Sequence, residues 1–205
     1  MKRSRNQQIL QMVELAILTA IVLVLQAMGI VIKIPFLGTP VSLVLVPIAL
    51  GAMILGPAAG AWLGLVFGVQ VYVQCGVMGL DPFTAFLFNS NPVITAGICL
   101  VKSTLAGFLA GYVYRLVKAK NDLLAVFLAA AIVPVVNTGV FVLGCLIILD
   151  TISAFADAIG YANSALHLIF IGCAGLNFVF ELVVNLVFSP ALQRILRIVR
   201  RQAKH

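Results

Sequence analysis

The chain has 205 residues, of which 63% are hydrophobic and only 9% are charged, and its formal net charge is +7. Too few polar residues remain to cover a water-soluble globule of this length, so the composition excludes a soluble domain and indicates a membrane protein. The positive charge does not indicate nucleic-acid binding, because no basic stretch alternates with aromatic residues on a polar face.

Apolar runs of membrane-spanning length recur along the whole chain. A helix needs about 20 apolar residues to cross the hydrocarbon core, and lipid offers no partner for unpaired backbone groups. We therefore predict an all-α integral membrane protein, a single membrane domain over residues 1–205 with about six transmembrane helices. The predicted spans are 10–32, 41–55, 58–76, 93–117, 123–149 and 166–192.

Lysine and arginine residues fall into three clusters that set the predicted orientation. With an even number of spans, all three lie on one side of the membrane, which the positive-inside rule makes cytoplasmic. Both termini are therefore predicted to be cytoplasmic, in a multi-pass protein of the cell membrane. The clusters are Lys2, Arg3 and Arg5; Arg115, Lys118 and Lys120; and Arg194, Arg197, Arg200, Arg201 and Lys204.

Three longer connections, 33–40, 77–92 and 150–165, are predicted to be external loops. The second combines several phenylalanines with Asn89 and Asn91. Such a segment can close over a small ligand, because rings bury apolar surface while amides donate and accept hydrogen bonds. The alternative is an aromatic belt at the membrane interface, with an Asn-Pro turn at the start of the next helix.

Small residues recur four positions apart on three of the predicted helices. This spacing lets helix backbones approach closely, which gives van der Waals contact that lipid cannot match. Most such ridges are expected to pack inside the protein. They are Ala16 and Ala20 on the first helix, Gly60, Gly64 and Gly68 on the third, and Gly107 and Gly111 on the fourth.

The six-helix plan, the Ala16–Ala20 pair and the segment LGPAAGAWLGLVFG at 55–68 resemble the substrate-binding S component of an energy-coupling factor (ECF) vitamin transporter. Within that family, the segments NSNP at 89–92 and PVVNTG at 134–139 most resemble the group that includes pantothenate and folate carriers. The resemblance covers nearly the whole chain. It implies that Ala16 and Ala20 dock onto a membrane coupling subunit and that two ATPase subunits drive transport. We expect the membrane to be a bacterial plasma membrane.

A few polar side chains lie inside the predicted spans and are the main candidates for function. A charged group that faces lipid costs about 2.5 kcal/mol or more, so these groups should face the protein interior. Asn177, Glu181 and Asn185 share one helix face because they are four residues apart. Lys102 either forms an ion pair with Glu181 or receives a ligand carboxylate. Asn137 follows a proline that can free a backbone carbonyl, and we favour it as a ligand contact.

We therefore expect a binding subunit that captures a small vitamin. Pantothenate is favoured because a lone membrane lysine suits a carboxylate. The alternative is an ion-coupled secondary transporter with Glu181 as its coupling site, although no internal duplication is evident. The predicted substrate contacts are Asn89, Asn91, Lys102, Asn137, Asn177 and Glu181.

An enzyme is disfavoured, because the sequence contains neither a nucleophile–base motif nor a phosphate-binding loop for ATP. ATP hydrolysis is expected in the partner subunits. No cofactor is predicted. No metal site is predicted either, because the four cysteines have neither metal-ligand nor redox spacing and suit the role of small buried hydrophobic residues. They are Cys75, Cys99, Cys145 and Cys173.

Overall fold

The structure is a computed structural model that describes residues 5–31 and 43–202. These residues form helices joined by short connections, so nearly all of their backbone groups are bonded within one segment, as a bilayer requires. Two π-helical segments, Tyr72–Val77 and Leu168–Gly175, continue α3 and lead into α9. The helices are α1 Arg5–Val31, α2 Leu45–Ile54, α3 Pro57–Val71, α4 Pro82–Ser90, α5 Pro92–Val117, α6 Asp122–Ile147, α7 Leu149–Ala158, α8 Ala165–His167 and α9 Leu176–Gln202.

Within the described residues, five helical stretches are long and apolar enough to cross a membrane. The predicted span 41–55 corresponds to α2, whose 10 residues reach only about 15 Å, half the thickness of the hydrocarbon core. Most residues of α2 are buried, so it packs as a short core helix inside the bundle. Residues 41 and 42 and the predicted loop 33–40 lie outside the described residues. The five stretches are Gln7–Gly29, Pro57–Val77, Pro92–Val117, Asp122–Ile147 and Ala165–Val199.

Helices α3 and α5 pack with their backbones in contact at the centre of the bundle. A Cβ atom added to Gly60 or Gly64 would collide with the main chain of α5, and one added to Gly68 would lie 2.6 Å from the Cys99 carbonyl oxygen. The glycines therefore permit an approach that no larger residue allows, which confirms the prediction of internal packing for this ridge. Helix α6 packs on α5, and α9 packs on α6.

Two segments predicted as loops are partly helical: 77–92 contains the short helix α4, and 150–165 contains all but the first residue of α7. Their inner faces meet through aromatic rings, since the Phe83 and Phe155 ring centroids are 5.3 Å apart and those of Phe86 and Phe155 are 5.2 Å apart. With residues of α6 and of the π-helical segment before α9, they form a second hydrophobic cluster. Turn-forming residues at both ends of these segments favoured a loop prediction. Packing against the bundle stabilises the two short helices.

Candidate functional site

A partly buried cavity lies between α1, α3, α5, α6 and the start of α9, with α4 at its edge. Its volume is about 70 Å³, which is enough for a few water molecules and below the roughly 300–1,000 Å³ of sites for drug-sized ligands. The lining combines apolar residues with several convergent charged and amide side chains. This combination is typical of a small-molecule binding site.

Four of the six predicted substrate contacts line this cavity, and they come from three helices. Lys102 is on α5, Asn137 is on α6, and Asn177 and Glu181 are on α9. Asn137 is 6% exposed and Glu181 is 2% exposed, whereas the other two are half-buried. The structure thus brings together residues that are separated by up to 79 positions in the chain, Lys102 and Glu181.

Lys102 lies ten residues after the first residue of α5, which is about 15 Å along the helix axis. Its Nζ atom is 5.1 Å from the centroid of the Phe141 ring, in a cation–π contact with α6. Glu181 lines the same cavity, so the geometry is compatible with both roles that the sequence left open for the lysine.

Asn137 faces α5 from the turn of α6 that follows Pro134. Its Oδ1 atom lies 3.5 Å from the Ser103 hydroxyl, which is also 3.2 Å from the carbonyl oxygen of Cys99. A hydroxyl has one hydrogen, so it cannot satisfy both oxygens at once. The Asn137 amide therefore keeps hydrogen-bonding capacity for a ligand.

A hydrogen-bonded ladder runs along the buried face of α9. The Asn177 amide donates to Glu181 Oε1 over 3.4 Å, and the Asn185 amide donates to the Glu181 carbonyl oxygen over 2.9 Å. The Ser189 hydroxyl continues the ladder by donating to the Asn185 carbonyl oxygen over 2.9 Å. The predicted common face of Asn177, Glu181 and Asn185 is thus confirmed, and it begins at the cavity.

Four further polar residues line the cavity and were missed from the sequence: Gln26, Asp81, Thr84 and Thr138. Gln26 on α1 is 5% exposed, and Asp81 is 3% exposed. The Asp81 carboxylate caps α4 by accepting hydrogen bonds from the main chain and the hydroxyl of Thr84. The Asp-Pro-x-Thr sequence is a helix-start signal that could have identified this cap, and Gln26 is an isolated amide in an apolar run, as Asn137 is.

Asn89 and Asn91 are exposed at the junction of α4 and α5, outside the lining of the cavity. The Asn91 side chain caps α5 by accepting a hydrogen bond from the main-chain N–H of Ile94 over 3.1 Å. This geometry matches the Asn-Pro turn that the sequence offered as the alternative. The role of Asn89 and Asn91 as ligand contacts stays a prediction.

The predicted docking pair lies on a helix at the edge of the bundle. Helix α1 packs on α2 and α3, and it buries Leu18, Val22 and Gln26 along one face. Ala16 and Ala20 are exposed on the other face, which places two small side chains where another membrane helix could approach.

The four cysteines are buried, and two of them, Cys75 and Cys173, line the cavity. Within residues 5–31 and 43–202, no group of three or more histidine, cysteine, aspartate or glutamate side chains could hold a metal ion. The cavity therefore offers hydrogen bonds and charges to a ligand. It does not offer a metal-binding cluster among the described side chains.

Comparison with known proteins identifies the family. A family model for the substrate-specific component of ECF transporters matches residues 10–192, which is most of the chain. No curated protein matches the sequence. Members of this family are multi-pass membrane proteins that bind a small-molecule substrate and associate with an ECF module, and they are not enzymes. The chain belongs to the family of substrate-specific components of ECF transporters.

Proposed function

We propose that this chain captures a small vitamin from outside a bacterial cell and delivers it to an ATP-driven module of one membrane coupling subunit and two ATPases. The supporting observation is the convergence of Lys102, Asn137, Asn177 and Glu181 on one cavity. Polar and charged groups at membrane depth are costly, so their convergence indicates function.

Pantothenate is the first candidate for the vitamin. Its carboxylate suits the Lys102 ammonium, because a charge-assisted hydrogen bond between them is stronger than one between neutral groups. Its hydroxyl and amide groups suit the Asn137 and Asn177 amides, which can both donate and accept. A cavity of about 70 Å³ must widen to enclose such a molecule, so binding involves movement of the surrounding elements.

We also propose that Ala16 and Ala20 dock onto the coupling subunit. Their exposure on an edge helix supports this role, since none of the described residues packs over the two alanines. A close approach through small residues gives two helices van der Waals contact in a medium where apolar surface alone gives little driving force.

Uptake into vesicles tests the energy source. We expect pantothenate uptake to require the partner module and internal ATP, and to persist after the proton and sodium gradients are collapsed. Uptake by this chain alone, driven by an ion gradient, would refute the proposal. That result would instead favour a secondary transporter with Glu181, a nearly fully buried carboxylate, as the coupling site.

Co-purification tests the docking pair. Replacement of Ala16 or Ala20 with leucine should block assembly with the coupling subunit and leave pantothenate binding by the solitary protein intact. Gly139→Leu on α6 is the matched control, because Gly139 is exposed and a Cβ added there meets nothing within 4 Å. Equal recovery of the coupling subunit with all three variants contradicts the docking role.

A further inference from the structure

An open groove of about 480 Å³ runs along α3 beside Leu23 of α1. It extends from Trp62 to Met78, which is roughly 24 Å at the rise of an α-helix and close to the depth of one leaflet with its headgroups, about 20 Å. On its floor, Trp62 is 49% exposed and Val69 is 46% exposed. Both residues belong to a stretch that is long and apolar enough to cross a membrane, so the groove faces lipid.

The groove is polar at one end only. Gln70 and Gln74 line it near Val77, where the spanning stretch ends, and its other described lining residues are hydrophobic. The Gln70 amide nitrogen donates to the Leu23 carbonyl oxygen over 2.8 Å, which ties α3 to α1. The amide oxygens of both glutamines are buried and have no hydrogen-bond partner among the described residues. A buried acceptor without a donor is destabilising, so this end of the groove needs donors.

The width and the charge of the groove restrict what can fill it. Spread over the length of the groove, its volume gives a cross-section of roughly 20 Å², well below that of a helix about 10 Å in diameter. A single hydrocarbon chain is narrow enough, whereas a transmembrane helix is not. None of the described lining residues is charged, so neither a phosphate nor an ammonium would find a counter-charge there, and burying an unpaired charge is costly. Hydroxyl groups supply donors without a charge.

We propose that the groove binds an uncharged, hydroxyl-bearing lipid of the acylglycerol class. Its chain lies along the hydrophobic part of the groove towards Trp62, and its hydroxyls donate to Gln70 and Gln74. The two glutamines are four residues apart, about 6 Å along the helix, which the two neighbouring hydroxyls of a monoacylglycerol can bridge. The groove shares no described lining residue with the polar cavity. This lipid site therefore does not depend on the proposed transport function.

Trp62, the single tryptophan, reports on occupancy of the groove. Bromine atoms on a lipid chain quench tryptophan fluorescence only at close approach, and vesicles of phosphatidylcholine provide a background without headgroup donors. Two probes share one chain: the monoacylglycerol of dibromostearic acid has two hydroxyls, and the methyl ester of the same acid has none. The monoacylglycerol should half-quench Trp62 at a mole fraction about fivefold or more below that of the ester, as expected for at least one neutral hydrogen bond. Equal quenching by both probes indicates ordinary lipid contact and overturns the proposal.

Variants then assign this preference to the two glutamines. Gln74→Leu removes one acceptor and leaves the Gln70–Leu23 bond in place, so it should reduce the preference, and the double variant with Gln70→Leu should abolish it. Gln193→Leu on α9 is the matched control, because it removes a glutamine outside the groove and should keep the full preference. Thermal unfolding of each variant shows that it is folded. A preference that Gln74→Leu leaves unchanged, or that Gln193→Leu reduces equally, refutes the assignment.

Two further measurements test the class of the occupant. Brominated phosphatidylglycerol and phosphatidylethanolamine carry donors together with charges, and per brominated chain each should half-quench Trp62 at a higher mole fraction than the monoacylglycerol. A lower mole fraction for either phospholipid contradicts an uncharged lipid. Co-purification of the coupling subunit should be the same for Gln74→Leu as for wild type. If this variant loses the coupling subunit, the groove is a protein contact and the lipid proposal fails.

Discussion

The glycine contact between α3 and α5 makes the sharpest prediction about stability. In Gly64→Ala, the new methyl group would collide with the Ser103 carbonyl oxygen and lie 2.7 Å from its carbonyl carbon. Main-chain atoms cannot rotate away, so the two helices must separate. Overpacking of this kind costs about 1–3 kcal/mol, offset by up to about 1 kcal/mol from the higher helix propensity of alanine. We expect a net loss of about 1–2 kcal/mol.

Gly97→Ala on α5 is the matched control, because a Cβ there meets nothing within 4 Å. Only the propensity gain applies, so this variant should be as stable as wild type or slightly more stable. The assay is thermal unfolding in nanodiscs, followed by the fluorescence of Trp62, the single tryptophan. The Gly64 variant should unfold about 2–8 °C lower, at about 2–4 °C per kcal/mol for a chain of this size. Equal midpoints for both variants would refute the reasoning.

The remaining substitutions separate binding from folding. Asn137→Ala should weaken pantothenate binding about tenfold in calorimetry and leave the unfolding midpoint nearly unchanged. Lys102→Met should likewise reduce the affinity for pantothenate without reducing the stability of the empty protein. If the free energy of unfolding instead falls by about 3–5 kcal/mol, and the additional change Glu181→Gln restores it, the two residues form a structural ion pair. Asn91→Ala should cost about 1 kcal/mol by removing the cap of α5, as measured by thermal unfolding.

The long helices could be predicted closely because a bilayer dictates their length and composition. Predicted spans 58–76, 93–117 and 123–149 correspond to helical stretches Pro57–Val77, Pro92–Val117 and Asp122–Ile147. Lys102 and Glu181 could be predicted to face the interior for the same reason, since a charged side chain is costly against lipid. The common face of Asn177, Glu181 and Asn185 could also be predicted from their spacing alone, because residues four apart share a face in any α-helix.

Features that depend on contacts between distant segments could not be predicted. Helices α4 and α7 are stabilised by the packing of Phe83 and Phe155 on each other and on the bundle, a contact that no local pattern reveals. Asp81 enters the cavity only because α4 folds over its edge. The length of α2 was also overestimated, since the apolar run at 41–55 does not distinguish a spanning helix from a short core helix.

Helix α1 belongs to both proposed sites, on opposite faces. Ala16 and Ala20 are exposed, whereas Leu18, Val22 and Gln26 are buried, and Gln26 reaches the cavity. A helix moves largely as one rigid element, so a ligand that repositions Gln26 also moves the exposed alanine pair. Thermodynamic linkage then requires cargo and coupling subunit to change each other's affinity by the same factor.

Substitution of Gln26 tests this coupling. Gln26→Leu keeps the helix and its exposed face but removes the amide from the cavity, so pantothenate should bind more weakly, by about fivefold or more for one neutral hydrogen bond. The change in coupling-subunit affinity on adding saturating pantothenate, measured by co-purification titration, should shrink with it. Affinity of the empty variant for the coupling subunit should match wild type, because Ala16 and Ala20 are untouched. If pantothenate shifts docking of Gln26→Leu as strongly as docking of wild type, the two sites communicate through elements other than this side chain, and the rigid-helix argument fails.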